Sequence, residues 1–215
     1  MSISWTIRLT LIGLLFILVI IFGKFLKNRE RYSFILENVS INLVSVILFN
    51  AFCYTSMILP PDGTVLQKPP FLSLTLNTRW YDILGLILMI FGVLILIRTV
   101  LMRKALGAQD TSGKLLTKGI YSFSRHPIYL GIIIVSLGLG LRTINIDALL
   151  IYPLIVLANY IQSKLEEVYD VGVRFKQEYS EYKKQTRRFG PIWFWGIILI
   201  TLILPLILSI IILSL

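Results

Sequence analysis

The 215-residue chain is 56% hydrophobic and 15% charged, a balance too apolar for an ordinary soluble domain, in which about a quarter of residues are charged. Its formal charge of +10 does not point to nucleic acid, because the basic residues fall in the gaps between apolar runs rather than on one face of a soluble fold. One cysteine, Cys53, and one histidine, His126, exclude an internal disulfide and leave too few ligands for a thiolate metal cluster, so no metal is expected.

Crossing a hydrocarbon layer of ~30 Å takes roughly 20 helical residues. The apolar runs predict an all-α, multi-pass membrane protein with six membrane helices near 5–23, 34–59, 80–101, 128–143, 146–163 and 191–214. The first is followed by the basic stop "GKFLKNRER"; a cleaved signal peptide is the competing reading, but no small-residue cleavage site follows the run. "NVS" at 38–40 matches a glycosylation acceptor, yet it opens a membrane helix on the cytoplasmic side and is taken as chance. The segments 24–32, 98–126 and 164–190 hold all but four of the 21 Lys and Arg residues, the exceptions being Arg8, Lys68, Arg79 and Arg142. By the positive-inside rule those three segments are cytoplasmic, and their alternation with the other loops agrees with six spans.

Residues 103–127, "RKALGAQDTSGKLLTKGIYSFSRHP", are punctuated by Gly107, Gly113 and Gly119 and read as irregular backbone able to wrap a ligand. The residue before a proline is pushed toward extended backbone, and proline suits the first turn of a helix, so the fourth helix should begin at Pro127 with His126 near its cap. The N–H groups of Ile128, Tyr129 and Leu130 would then lie at the positive end of the helix dipole, suited to a carboxylate or phosphate, with His126 beside them as a donor. The bland alternative is an interfacial His126 bonded to a loop carbonyl.

The short break "LRTINID" leaves no room for a loop, so 128–163 is predicted to be a helical hairpin. Beyond it, "SKLEEVYDVGVRFKQEYSEYKKQTRRFGP" spaces Val168, Val171, Phe175, Tyr179 and Tyr182 as a helix would, predicting a cytoplasmic amphipathic helix against the membrane core. Glu166 and Glu167 sit where that helix leaves the bilayer. Adjacent helical residues are about 100° apart, so one carboxylate is expected to face inward and the other water; two solvated glutamates beside Lys164 are the alternative. The "WFW" of the last helix is expected at headgroup level.

Taken together, "KGIYSFSRHPIYLG", a downstream "EE" and "FKQEYSEYKK" resemble the membrane methyltransferase family that includes isoprenylcysteine carboxyl methyltransferases and phospholipid N-methyltransferases. The resemblance covers about residues 80–190, implying a methyltransferase core there, flanked by membrane segments 1–79 and 191–215. It implies S-adenosylmethionine as cofactor and a lipid-borne or hydrophobic substrate from the membrane. Carried over, Lys114, Leu115 and Leu116 would lie along the adenosine, Tyr121 would border the cofactor, and His126, Pro127, Ile128 and Tyr129 would form the contacting turn. Glu167, eight residues before Phe175, is the first choice for the cofactor glutamate and Glu166 the second. The cofactor's carboxylate would suit the helix start with His126, its ammonium a glutamate, and its sulfonium the face of Tyr121 or Tyr129, by about 0.5–2 kcal/mol of cation–π attraction.

The family pattern fails at two positions. Where the carboxyl methyltransferases place an arginine toward the substrate carboxylate, this chain has Ser163 followed by Lys164, which leaves the nucleophile open among carboxylate, amine and thiol. The family's glycine after the Phe is replaced by Lys176. Membrane sterol and steroid reductases share the "RHP-x-Y" turn and bind NADPH, but Ile128 and Ile132 fit their pattern poorly. A scaffold or transporter would leave the 103–127 loop unexplained and lacks charges deep in its helices.

Overall fold

The computed structural model describes residues 50–51, 53–54, 79–103, 115–143, 146–200 and 203. The predicted helix at 5–23 and most of that at 34–59 lie outside them, although residues 50–51 and 53–54 are helical. Every regular element among the described residues is a helix: α1 (Arg79–Arg103), α2 (Ile120–Phe123), α3 (Pro127–Thr143), α4 (Ile146–Glu166), a π-helical turn (Glu167–Val171), α5 (Gly172–Gln185) and α6 (192–200). The 103–127 segment, expected to be irregular, thus carries one helical turn, α2, just before the "SRHP" stretch.

Within α1, Ile83–Met102 is by length and composition able to cross a membrane. Its partner is α3, and glycines set their distance. A Cβ on Gly138 would stand 2.5 Å from the Gly85 carbonyl oxygen, and one on Gly92 would stand 2.8 Å from that of Gly131. Small residues here let two backbones approach until their main-chain atoms touch, the contact available to helices in lipid, where apolar burial adds little. The paired positions run in opposite directions, so α1 and α3 are antiparallel. Leu84, Leu88 and Ile95 of α1 pack with Leu130 and Ile134 of α3 around this seam.

Only residues 144–145 separate the ends of α3 and α4. Leu139 and Ile132 of α3 cluster with Ile151, Ile155 and Ala158 of α4 and with Cys53 and Tyr54 from the preceding part of the chain. Tyr54 hydroxyl donates to the Ile132 carbonyl at 3.2 Å and accepts from Ser136 Oγ at 3.1 Å, so these two hydroxyls are paired inside the packing.

The helix predicted to end near 163 continues to Glu166 and then widens into a π turn. Gly172 permits the widening, since a Cβ there would fall 2.3 Å from the Glu167 carbonyl oxygen. Along the π turn and α5 the predicted stripe holds in part: Tyr179 and Tyr182 are buried and Val171 and Phe175 pack against them, whereas Val168 is exposed. At Lys176 the backbone adopts φ 36°, ψ −105°, kinking α5 at the position where the resembled family has glycine. The "WFW" stretch is only partly at the surface. Trp193 is exposed, while Phe194 and Trp195 pack against the α1–α3 core and the Trp195 indole N–H donates to the Phe189 carbonyl at 2.8 Å.

Candidate functional site

Three pieces of chain meet at the start of α3: the "SRHP" stretch, the junction of α4 with its π turn, and the strap 186–190 that joins α5 to α6. Backbone bonds fix the first to the third. Arg125 N–H donates to the Arg187 carbonyl at 3.1 Å, and His126 N–H to the Arg188 carbonyl at 3.2 Å. Ser124, fully buried, donates through Oγ to the Arg188 carbonyl at 2.7 Å. Gly190 turns the strap away with φ 84°, a left-handed backbone open to glycine, and lies against the ring of Phe123.

α3 starts at Pro127, as expected from the proline rule. The Leu130 N–H, expected to be open to an anion, is instead spent on the His126 carbonyl at 3.0 Å, because His126 is the cap and its carbonyl accepts the first intrahelical bond.

His126 is buried and held between the two glutamates: Nε2 stands 3.1 Å from Glu167 Oε1, and Nδ1 3.5 Å from Glu166 Oε2. Glu167 is enclosed and Glu166 partly exposed, as the spacing suggested, but both carboxylates reach the ring. The two nitrogens of an imidazole point in different directions, so side chains about 100° apart around a helix can both reach one ring placed between them. Burial alone pulls the ring's pKa down, but hydrogen bonds to Glu166 and Glu167 and their charges outweigh it, and the net shift is upward. With both nitrogens facing carboxylates, the imidazolium is the form that satisfies them.

Glu167, buried, is the hub. Besides His126 it receives Arg188 twice (Nη2 to Oε2 at 2.6 Å, Nε to Oε1 at 3.3 Å), Arg125 Nη2 on Oε1 at 3.2 Å, and half-exposed Lys183 at 3.9 Å. Burial pushes its carboxyl upward, yet bonds from His126 and Arg188 and the charges of His126 and Arg125 hold it well below the usual carboxylate range. Glu166 is less enclosed, its side chain 18% exposed, and accepts a 2.6 Å bond from the Tyr129 hydroxyl. The Tyr129 ring lies 5.8 Å from that of His126, tilted by 33°. Arg188 also covers the ring of Tyr160 at 4.8 Å.

Behind this cluster stand three buried tyrosines. The Tyr182 hydroxyl donates to the Tyr121 carbonyl, tying α5 to α2, and Leu115 and Leu116 pack against Tyr121, Tyr179 and Tyr182. The structure thus brings together Leu115, Leu116, Tyr121, His126, Pro127, Tyr129, Glu166 and Glu167, with Ile128 half-buried beside them. Lys164 projects outward, exposed, while its neighbour Ser163 is buried and bonds the Tyr160 carbonyl at 2.8 Å. Lys114 lies outside the described residues. Sequence reasoning missed Arg125 and Arg188. Arg125 stands inside the quoted motif, and the dipeptide "RR" before "FGP" was the only trace of Arg188.

One helix long and apolar enough to cross a membrane, a helical hairpin packed behind it and a buried charge cluster at their common end make up the core of the described residues. Residues 80–171 match the family model described as phospholipid methyltransferase, in agreement with the resemblance. The match includes His126, Glu166 and Glu167 and ends before α5 and the strap. No curated protein and no solved structure matches the chain.

Proposed function

We propose that the chain is an integral membrane methyltransferase that takes S-adenosylmethionine from the cytoplasm and methylates a carboxylate, amine or thiol on a lipid-borne or otherwise hydrophobic substrate. The observation that carries this reading is the convergence of Tyr129, His126, Glu166 and Glu167 at the start of α3, inside the segment that matches the family. In the same proposal the six apolar runs are membrane spans with their basic connections cytoplasmic. Residues 80–190 form the methyltransferase core, and 1–79 and 191–215 are flanking membrane segments.

When bound, S-adenosylmethionine would supply a methyl group on a cationic sulfonium for in-line displacement. The chain's part is to bind, align and dry the site, since alignment at about 3 Å separation supplies several kcal/mol of such a barrier. Leu115, Leu116 and Tyr121 offer an apolar and aromatic wall for an adenosine, with Lys114 ahead of them in sequence. Pro127 and Ile128 form the turn beside it, and the Tyr129 ring is a face for a cation.

The residues fit the cofactor's ammonium through Glu166, the carboxylate that remains partly exposed, whereas both oxygens of Glu167 are already covered by cations. We therefore assign the ammonium contact first to Glu166 and give Glu167 the task of holding His126, Arg125 and Arg188. The exposed Lys164 stands as a candidate contact for an anionic substrate group near the membrane surface.

Isothermal titration of the full chain in detergent with S-adenosylhomocysteine and, separately, with NADPH tests the proposal. Saturable binding of the first is expected. Binding of NADPH alone would instead place the chain with the membrane reductases.

A further inference from the structure

Back along α4 from the two glutamates, the inner face of the helix stays polar where a membrane span would be apolar. Asn159, Gln162 and Ser163 are buried, and with Glu166 they fall within an arc of about 100° at 3.6 residues per turn. Exposed Pro153, Leu157, Tyr160 and Lys164 cover the other side. The ring of His126, held between Glu166 and Glu167, stands over that inner face, so the polar row leads from the ring down α4. Asn159 lies about 10 Å along the axis from Glu166, at 1.5 Å per residue. Beyond it the face turns apolar, with Ala158, Ile155 and Ile151 in the core.

One atom of this row is unsatisfied. Asn159 is 2% exposed; its Nδ2 donates to the Ile155 carbonyl at 2.7 Å, and its Oδ1 has no hydrogen-bond partner among the described residues. A carbonyl can only accept, so that bond fixes the amide, with the nitrogen turned to its own helix and the oxygen at the free end. Ser163 repeats the pattern: its proton is spent on the Tyr160 carbonyl at 2.8 Å, and its oxygen keeps lone pairs that can accept. A buried acceptor without a donor is costly, and an apolar side chain of the same shape would carry no such cost. In the proposed reading α4 is a membrane helix, where polar groups held inside mark substrate paths and functional sites.

Acceptors without donors call for a ligand that donates. A carboxylate beside Asn159 Oδ1 and Ser163 Oγ would meet only lone pairs, and a bare hydrocarbon would leave the Asn159 oxygen unpaired. We infer that Asn159 is a specificity-determining residue whose Oδ1 accepts a hydrogen bond from an N–H or O–H group in the body of the hydrophobic substrate, with Ser163 as a second acceptor between Asn159 and the glutamates. The inference rests on the functional reading above and concerns the substrate's body rather than the atom that is methylated. Ser163 belongs to the same preference, offering an acceptor where the resembled family offers a cation. Two sources carry such a donor: an amide N–H and a hydroxyl.

The test uses the full chain above neutral pH in lauryldimethylamine oxide, a detergent that then has neither N–H nor O–H, and two matched pairs of amphiphiles. N-hexadecylacetamide is compared with N-hexadecyl-N-methylacetamide, and 1-hexadecanol with its methyl ether. Each is titrated into wild type and Asn159→Leu with S-adenosylhomocysteine present. If an amide N–H occupies the position, wild type binds N-hexadecylacetamide about tenfold or more tighter than its N-methyl partner; if a hydroxyl does, the alcohol exceeds its ether by a similar factor. Either preference is lost in Asn159→Leu. Without amphiphile, Asn159→Leu, which keeps a branched side chain and removes an unpaired acceptor, melts no lower than wild type.

Should Asn159→Leu fail to fold, Asn159→Ala, which adds no volume, replaces it in the titrations. Equal affinities within both pairs, or no binding of any of the four, overturn the inference, as does a preference that persists in the Asn159 variant. A midpoint several degrees lower for Asn159→Leu also overturns it, because the chain itself then supplies the donor. S-adenosylhomocysteine titrated alone keeps the two readings apart. Its binding with no donor preference overturns this inference and leaves the functional reading standing; its failure to bind overturns the functional reading, and this inference with it.

Discussion

Arg188 grips Glu167 across 21 residues of chain with two bonds, Nη2 to Oε2 at 2.6 Å and Nε to Oε1 at 3.3 Å, while the carbonyl of the same arginine receives the backbone N–H of His126. One residue thereby joins the π turn, the cap of α3 and the strap. It lies outside the segment that matches the family model, so the charge hub is completed from beyond that segment. Arg188→Lys keeps a positive charge but loses the two-pronged grip, because an ammonium is a single point donor. Expected is a thermal midpoint in detergent several degrees below the wild type for Arg188→Lys and lower still for Arg188→Ala. Equal midpoints for all three proteins would show that the strap is held by its backbone bonds alone.

The two glutamates should separate experimentally. Glu167→Gln leaves Arg125 and Arg188 without their common carboxylate, and removing one partner of a buried ion cluster costs about 3–5 kcal/mol. Its main effect should be loss of folded protein, followed by circular dichroism and size exclusion. Glu166→Gln keeps the hub and should fold normally while weakening S-adenosylhomocysteine tenfold or more. The opposite pattern would return the ammonium contact to Glu167.

His126 and Glu167 set a pH window. The folded pKa of His126 lies above its ordinary 6.5, so its contribution to stability is complete below that pH and is lost as pH rises through the folded value. For Glu167 the folded pKa lies below its ordinary 4.5; its contribution is present above 4.5 and disappears as pH falls through the folded value. Thermal unfolding of wild type and His126→Gln should therefore converge as pH rises from neutral into the alkaline range. A difference that stays constant with pH would mean that the ring is neutral when folded.

Lys176 pays for a backbone that glycine adopts freely. A non-glycine residue held in a sparsely populated region costs on the order of 1–3 kcal/mol. Lys176→Gly should raise the thermal midpoint even though it removes a charged side chain, while glycine at the exposed, regular-helical position Gln177 should lower it, by roughly 1 kcal/mol. A lower midpoint for Lys176→Gly would mean that the kink is stabilised by the lysine itself.

The helices were legible because apolar runs and one proline carry their own instructions: α1 and α3 begin and end within two residues of the predicted bounds, and Pro127 opens α3. Tyr179 and Tyr182 were legible as a buried pair from helical spacing alone. The sandwich of His126 between two carboxylates was not, because it depends on where a ring from one helix end meets another helix, which no local pattern records. Nor was Arg188, one of several basic residues near the membrane face, distinguished only by a partner 21 residues away. The kink at Lys176 escaped for a different reason. Its residue type argues against that backbone, and only the resembled family's glycine hinted at it.

The glycine contacts between α1 and α3 also bear on how a lipid reaches the polar site. With the Gly85 carbonyl 2.5 Å from where a Cβ of Gly138 would be, and the Gly131 carbonyl 2.8 Å from that of Gly92, the two helices leave no slot as wide as a hydrocarbon tail. That flank is closed, and an acyl chain bound for His126 and the glutamates has to come in by another side.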